Sequence, residues 1–184
     1  MPSGKNYLDP AFLLKKLEIG GGMFAADFGC GGSGYFVLQA ASLVGDKGRV
    51  YAVDIFKPNL SAVWRNVKMR GYEDIVRCVW SDLEIVGAAR KIKDESLDRG
   101  ILVNVLHQSK KQKDILKECA RMLKKEARLL VVEWRSSGLL FSPQKNTLIE
   151  PEKVKALATE MGLALMEEFE AGDHHYGLIF TKIS

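Results

Sequence analysis

The chain has 184 residues, 47% hydrophobic and 27% charged, which is the composition of an ordinary globular protein long enough for one domain with a sizeable core. No apolar run approaches the roughly 20 residues of a membrane-spanning helix, and the N-terminus lacks a signal-peptide core, so we expect a cytoplasmic protein. The net charge of +4 permits nucleic acid as a partner but does not indicate it, because the lysines are scattered along predicted helix faces.

Apolar runs and amphipathic helical patterns alternate along the chain. A short helix is capped by Asp9 and begins at Pro10. Strands are predicted over residues 23–28, 49–54, 75–80, 97–103, 128–134, 163–169 and 176–183. Helices are predicted over residues 35–44, 58–70, 112–124 and 150–162, and a helix is one interpretation of the less regular stretch over 84–92. This alternation predicts a doubly wound, mainly parallel α/β sheet that ends in an antiparallel strand pair.

The segment from Ala26 to Tyr35, which reads Ala-Asp-Phe-Gly-Cys-Gly-Gly-Ser-Gly-Tyr, joins the first strand to the next helix. Its glycines permit a sharp turn and allow a ligand to lie against bare backbone. The helix that follows offers free N–H groups and the positive end of its dipole. The sequence therefore predicts a ligand site at this turn.

Two ligands compete for this turn. Gly29 to Gly34 fits the pattern G-x-G-x-x-G, and Asp54 follows about 20 residues later, as in dinucleotide-binding sites. Asp27, however, would repel the pyrophosphate of a nicotinamide cofactor. The same carboxylate would attract the ammonium and sulfonium groups of S-adenosylmethionine, so Asp27 favours the second ligand.

From about Asn6 onward the chain resembles class I S-adenosylmethionine-dependent methyltransferases, and it is similar to their type 11 group, related to ubiquinone and menaquinone biosynthesis. The resemblance is carried by residues 27–31, 51–54, 81–82, 96–98, 104–107, 116–123 and 129–134. It implies a seven-stranded Rossmann-like domain over residues 1–184, with residues 1–22 as an N-terminal extension. It also implies S-adenosylmethionine as the methyl donor and S-adenosylhomocysteine as the product.

The glycine turn departs from the D-x-G-x-G-x-G pattern of that family by one additional residue. Which of Gly31, Gly32 and Gly34 approaches the donor is therefore open. The other expected donor-binding residues lie where strands end, because ligands of open α/β sheets bind at the carboxyl ends of the strands. The full predicted set is Asp27, Gly29, Gly31, Gly32, Gly34, Asp54, Ile55, Phe56, Asp82, Leu83, Asn104 and Val105.

Several of these residues have predicted roles. Asp54 has two acceptor oxygens for the ribose hydroxyls, and its alternative role is a turn or helix cap. Ile55 and Phe56 would flank the adenine. Asp82 would accept from the adenine amino group or cap the next element, and Asn104 with Val105 would line the methionine end.

His107, just after the fourth strand, is the candidate general base, needed only when the acceptor arrives protonated. His174, His175 and Tyr176 are predicted in the last loop, either lining the acceptor pocket or forming an exposed turn. The histidines and the three cysteines (Cys30, Cys78, Cys119) lack metal-ligand spacing, so we predict no metal site and no disulfide framework.

The expected acceptor is a small molecule. Nucleic-acid amino-methyltransferases of this class often carry an N/D-P-P-Y loop where this chain has Asn104-Val105-Leu106-His107. Leu139, Leu140 and Phe141 are expected either to form part of a lid or to pack on the sheet edge. Two alternatives remain at this stage: an NAD(P)-dependent oxidoreductase, and a catalytically silent methyltransferase fold that serves as a binding subunit. Nothing in the sequence indicates an oligomeric state.

Overall fold

The computed structural model describes residues 8–136 and 142–183. The described strands are β1 Phe24–Phe28, β2 Arg49–Asp54, β3 Val76–Trp80, β4 Leu97–Val103, β5 Leu123–Trp134, β6 Leu163–Gly172 and β7 His175–Lys182. The described α-helices are α1 Pro10–Lys16, α2 Tyr35–Val44, α3 Lys57–Met69, α4 Gln112–Met122 and α5 Pro151–Glu160. Short 3-10 helices cover Leu106–Gln108 and Lys145–Thr147. The predicted lid residues 139–141 lie outside the described residues, as do residues 1–7 of the expected N-terminal extension.

All seven described strands form one sheet in the order β3-β2-β1-β4-β5-β7-β6. Strands β1 to β5 pair in parallel, whereas β7 is antiparallel to both β5 and β6. The strand order reverses between β1 and β4, and ligand sites of open α/β sheets lie at such a switch point. The predicted doubly wound sheet with a closing antiparallel pair is confirmed.

Helices cover both faces of the sheet because its central strands are apolar on both sides. One buried cluster joins α1, α2 and α3 to the sheet through residues such as Leu13, Val37 and Val63. The other cluster joins α4 and α5 to the opposite face through Leu116 and Val154. Among the helices of the described chain, none has the length and apolar character needed to cross a membrane.

The possible helix over residues 84–92 is wrong, because this segment forms successive turns between β3 and β4. The buried carboxylate of Glu118 on α4 accepts the backbone N–H groups of Gly87 and Ala89 at 2.7 and 3.1 Å. It also pairs with the guanidinium of Arg121 at 2.8 Å. Burial alone would raise the pKa of Glu118, but Arg121 and the two N–H groups hold this pKa below its ordinary value. The turn segment is thus fastened by an ion pair on α4.

Two strands are longer than predicted. β5 begins at Leu123, directly after α4, and its early residues include Glu126 at a φ of 65°. Leu123 pairs with Leu97, but the next pair is Arg128 with Arg99, so β5 bulges between them. β6 extends to Gly172, beyond its predicted end at residue 169, and β7 begins at His175, one residue earlier than predicted, which leaves a short turn between them.

Candidate functional site

A cavity of about 500 Å³ lies at the carboxyl ends of the parallel strands, beside the switch point. The sequence-predicted residues that line it are Gly29, Gly31, Asp54, Ile55, Phe56, Asp82, Leu83 and Val105. The cavity is also lined by residues outside the predicted donor-binding set, namely Asn59, Ser81, Glu84, Gln108, Ser109 and Ile115. The topology therefore brings most of the predicted set into one place.

The glycine turn is held against β2 by its backbone. The N–H groups of Gly29 and Cys30 donate to the carbonyl of Val53 at 2.8 and 3.0 Å. A Cβ added to Gly29 would lie 2.5 Å from Cγ2 of Val105, so this glycine permits a close approach between two protein segments. Gly31 has a φ of 61°, and a Cβ added there would meet no atom within 4 Å. Gly31 is therefore the position where bare backbone faces the cavity.

The remaining two predicted glycines face α3 rather than the cavity. A Cβ on Gly32 would lie 3.2 Å from Oδ1 of Asn59. Gly34 is the N-cap of α2, and a Cβ there would lie 3.0 Å from Cγ2 of Val63. Gly32 and Gly34 thus permit the turn to pack closely against α3.

Asp54 is the central acceptor of the site. Its Oδ2 accepts the N–H of Gly31 at 2.9 Å and the side-chain amide of Asn59 at 3.2 Å. Its Oδ1 accepts the N–H of Phe56 at 2.8 Å. A carboxylate offers about four acceptor positions. The protein therefore occupies most of them, and the open position is on Oδ1.

Exposed apolar side chains form the outer wall of the cavity. Ile55 and Phe56 are both 59% exposed. The indole N–H of Trp80, at the end of β3, donates to the carbonyl of Ile55 at 2.8 Å, which fixes this wall to the neighbouring strand. Across the cavity, Oδ1 of Asp82 accepts a hydrogen bond from the N–H of Glu84 at 2.8 Å. Oδ2 of Asp82 accepts no hydrogen bond from the described residues.

Asp27 lies within β1, one residue before its end, and is 2% exposed. Its Oδ2 is buried and has no hydrogen-bond partner among the described residues. Burial, and then the charge of Asp54, raise the pKa of Asp27 to about 7. An unpaired buried carboxylate is costly, so a cation placed nearby would stabilise its charged form. Asp27 does not line the cavity but lies beneath the glycine turn.

Asn104 follows β4 in a left-handed conformation with a φ of 57°, which asparagine tolerates better than most residues. Its carbonyl oxygen accepts from Nε2 of Gln108 at 2.5 Å. Its Oδ1 is buried without a hydrogen-bond partner in the described part of the chain. The turn at Asn104 brings Val105 to the cavity, while Asn104 itself is not among the lining residues.

His107 is not among the residues that line this cavity, and its ring contacts Glu133 on β5. Nδ1 of His107 lies 2.8 Å from Oε2 of Glu133, whose side chain is 1% exposed. Oε1 of the same carboxylate accepts the N–H of Leu106 at 2.6 Å. The ring and the carboxylate thus form a dyad that sequence reasoning did not find.

His175 and Tyr176 lie in β7 rather than in the predicted loop, whereas His174 lies in the turn as predicted. His175 is the first residue of β7 and is buried, with its ring centroid 4.0 Å from that of Trp134. His174 lies in the turn, with Nδ1 2.9 Å from Oγ of Ser136. Tyr176 is buried, and its hydroxyl donates to the carbonyl of Ile149 at 2.7 Å. The expectation of an exposed histidine pair is therefore wrong for His175. Within residues 8–136 and 142–183, no three His, Cys, Asp or Glu side chains are grouped as metal ligands.

Comparison with known families decides between the two ligands considered for the glycine turn. A family model described as a methyltransferase domain matches residues 26–131, which is more than half of the chain. The chain belongs to the class I S-adenosylmethionine-dependent methyltransferases, in the type 11 group. Its methyl donor is therefore S-adenosylmethionine, and the nicotinamide interpretation of G-x-G-x-x-G is set aside.

Relatives of this methyltransferase agree in fold. It is 25% identical over 169 residues to the "probable cobalt-precorrin-6B C(15)-methyltransferase (decarboxylating)" of Saccharolobus solfataricus, covering 85% of this chain and 79% of that protein. A crystal structure of a SAM-dependent methyltransferase from Aquifex aeolicus superposes with a TM-score of 0.85 at 22% identity, covering 100% of this chain and 94% of the other. Geranyl diphosphate C-methyltransferase from Streptomyces coelicolor superposes with a TM-score of 0.75 at 13% identity, covering 95% and 78%.

The site residues of this methyltransferase that sequence reasoning missed differ in how visible they were. Glu133 is the one charged residue in the apolar run 129–134, and a lone charge in a buried strand signals a specific partner. Asn59 is a polar residue in the first turn of α3, next to Asp54 in space only because the β2–α3 connection is tight. Gln108 and Ser109 reach the cavity through the 3-10 helix after β4, which no simple periodicity predicts.

Proposed function

We propose that this methyltransferase transfers the methyl group of S-adenosylmethionine by in-line displacement to a small-molecule acceptor, and that the cavity beside Gly31 holds the donor. The observation that carries this proposal is the bare backbone of Gly31 facing a cavity of about 500 Å³ beside Asp54 and Asp27. Such a volume is in the usual range for small-molecule and cofactor sites.

The described residues fit the donor in three regions. The open acceptor position on Oδ1 of Asp54 suits a ribose hydroxyl, while Ile55 and Phe56 provide an apolar wall for the adenine. Oδ2 of Asp82 is open to the adenine amino group. The unpaired Oδ2 of Asp27 gives the donor's cationic end a partner that the protein itself does not supply. Gly29, Gly32, Gly34, Leu83, Asn104 and Val105 shape this site around those contacts.

The bound donor supplies an activated methyl group on a sulfonium that is already a good leaving group. The protein's task is therefore positioning and exclusion of water, worth up to about 7–11 kcal/mol in well-oriented cases. Where the acceptor is protonated, His107 acts as the general base. His107 lies two residues after Val105, a cavity-lining residue, and this proximity supports that role.

The small-molecule acceptor is supported by the absence of an N/D-P-P-Y sequence after β4, where this chain has Asn104-Val105-Leu106-His107. The relatives named above act on a cobalt-precorrin and on geranyl diphosphate by their names, and both are small molecules.

We also assign the protein to the cytoplasm. Its three cysteines are all free, and free thiols persist in a reducing compartment.

The experiment is calorimetric titration of the purified protein with S-adenosylhomocysteine, with NADH as the control ligand. We expect binding of S-adenosylhomocysteine and none of NADH. Binding of neither would contradict the donor site and would favour a catalytically silent binding subunit. That outcome would then be examined by affinity capture of partner proteins.

A further inference from the structure

We infer that Glu133 is a positioning residue that fixes the tautomer of His107, so that Nε2 of His107 takes a proton from the acceptor. The inference rests on the proposed function and narrows its substrate class. The acceptor is then one whose attacking atom carries a proton at neutral pH, such as a hydroxyl, a phenol, an enol or an acidic carbon. Tertiary amines and thioethers, which attack without losing a proton, are outside this class.

The backbone N–H groups of three residues donate to Glu133. Oε1 accepts the backbone N–H groups of Leu106 and His107 at 2.6 and 3.3 Å. Oε2 lies 2.8 Å from Nδ1 of His107 and 3.4 Å from the N–H of Trp134. Backbone N–H groups can only donate, so both oxygens of Glu133 are held as acceptors. A side chain on β5 thereby anchors the 3-10 helix that carries His107.

These contacts determine which nitrogen of the His107 imidazole carries the proton. A carboxylate whose oxygens act as acceptors requires a donor at Nδ1 of His107. In a neutral imidazole only one ring nitrogen carries the proton, so Nε2 is left with its lone pair. Nε2 of His107 makes no hydrogen bond to the described residues, and the His107 side chain is 12% exposed. The atom that can accept a proton is thus the one not used by the fold.

A second histidine, His175, lies near the dyad of His107 and Glu133. His175 is buried beside Trp134, and burial, then the charges of His174 and His107, lower the pKa of His175 to about 4. His175 is therefore neutral at pH 7 and does not act as a competing cation for Glu133. Its Nε2 is buried without a partner among the described residues. The carboxylate of Glu133 is then available to stabilise the imidazolium that forms on His107.

The proton and the methyl group move in a balanced step. The attacking atom of the acceptor forms a bond to the methyl carbon while the bond from sulfur to that carbon breaks, which leaves neutral S-adenosylhomocysteine. The proton of the attacking atom passes to Nε2 of His107, and it is later released to water. No oxidant or reductant is required.

The test is nitrogen-15 NMR of the protein with labelled histidines, recorded with rising pH until the ring chemical shifts no longer change. His107→Gln identifies the His107 signals by their loss. We expect the wild-type His107 ring to show a protonated Nδ1 and an unprotonated Nε2. This measurement requires neither the acceptor nor any variant of Glu133. A protonated Nε2 in the wild-type protein would overturn the inference.

Glu133→Gln provides the second readout. The amide oxygen is expected at the Oε1 position, where Leu106 donates at 2.6 Å, so that the amide NH₂ faces Nδ1 of His107. The tautomer should then reverse and place the proton on Nε2. An unchanged tautomer in a folded Glu133→Gln protein would overturn the positioning role.

Binding of S-adenosylhomocysteine separates this inference from the proposed function. The donor cavity does not include Glu133 or His107, so Glu133→Gln should bind S-adenosylhomocysteine within about twofold of the wild-type affinity. Loss of binding in the wild-type protein would contradict the proposed function instead. A normal affinity together with the wrong tautomer would contradict only the assignment of Glu133.

Discussion

The backbone N–H of Gly31 donates a 2.9 Å hydrogen bond to Oδ2 of Asp54. The carboxylate at the end of β2 therefore holds Gly31, a cavity-lining glycine with open space at its Cβ position. A change at either residue should therefore alter both the shape of the glycine turn and the wall of the cavity.

Gly31→Ala is expected to weaken binding of S-adenosylhomocysteine at least tenfold, because the added methyl group projects into the cavity. Gly71→Ala is the matched control, since both glycines have a positive φ and open space at Cβ, but Gly71 lies after α3. Both variants should lose roughly 1–2 kcal/mol of stability from left-handed strain. Calorimetry and urea unfolding measure the two effects, and equal affinity in both variants would refute the placement of Gly31.

Asp54→Asn should lower the affinity for S-adenosylhomocysteine about 10–100-fold, as expected for a charge-assisted hydrogen bond worth roughly 1.5–3 kcal/mol. Asp46→Asn makes the same change of charge at an exposed turn residue and should leave the affinity unchanged. Titration calorimetry at constant salt compares the two. An unaltered affinity in Asp54→Asn would show that the ribose binds elsewhere.

Asp27 should make the ligand-free protein less stable as the pH rises. Its pKa is raised from 3.8 to about 7 by burial and by Asp54, so the native state keeps a proton that the unfolded chain has lost. The free energy of unfolding therefore falls between about pH 4 and 7. Asp27→Asn removes this dependence and should stabilise the ligand-free protein at pH 8 by up to about 4 kcal/mol. Urea unfolding as a function of pH tests this, and a variant with the wild-type pH slope would contradict it.

We expect Asp27 to release a proton when the donor binds. Below pH 7 Asp27 is largely protonated, and pairing with a cation requires it to ionise. The affinity should therefore rise between pH 6 and 7.5, with binding enthalpies that depend on the buffer's ionisation enthalpy. Comparing S-adenosylmethionine with S-adenosylhomocysteine identifies which cationic group of the donor pairs with Asp27. A proton that is released only when S-adenosylmethionine binds would place Asp27 at the sulfonium. Proton release that persists in Asp27→Asn would assign the effect to another group.

Glu118→Gln should destabilise the protein by about 3–5 kcal/mol, because it breaks a buried ion pair with Arg121 and disturbs the N–H contacts of Gly87 and Ala89. The pKa of Glu118 is lowered in the folded protein, so its contribution is complete above the unfolded pKa of about 4.3 and is lost as the pH falls through the folded value. Urea unfolding at pH 7 and pH 3 should show a smaller difference in the variant. Glu73→Gln, an exposed change, serves as the control.

The strands and most helices could be predicted because each is a local pattern of apolar residues. The start of β5 could not, since Lys124, Lys125 and Glu126 are polar and form a strand only by pairing beside β4. Residues 84–92 likewise depend on Glu118, which is distant in the sequence. In both segments the structure depends on residues that are distant in the sequence, so a local pattern could not predict it.

For the candidate site, strand ends predicted Gly31, Asp54, Asp82 and Val105 at one cavity, because parallel strands end at one edge. Gly32 and Gly34 were beyond this rule, since their neighbours on α3 are known only once the helix is in place. The partner of His107 required the register between β4 and β5. Sequence reasoning therefore located the donor region better than the residues around the proposed base.

The order of residues along the chain separates the two halves of this enzyme. The proposed donor contacts lie almost entirely before residue 106, within the part that the family model matches, whereas Glu133, Trp134 and His175 follow residue 131. Substitutions on β5 and β7 therefore change the surroundings of the proposed base without replacing any residue that lines the donor cavity. The residues around His107 can then vary in evolution or in engineering while every cavity-lining residue is retained.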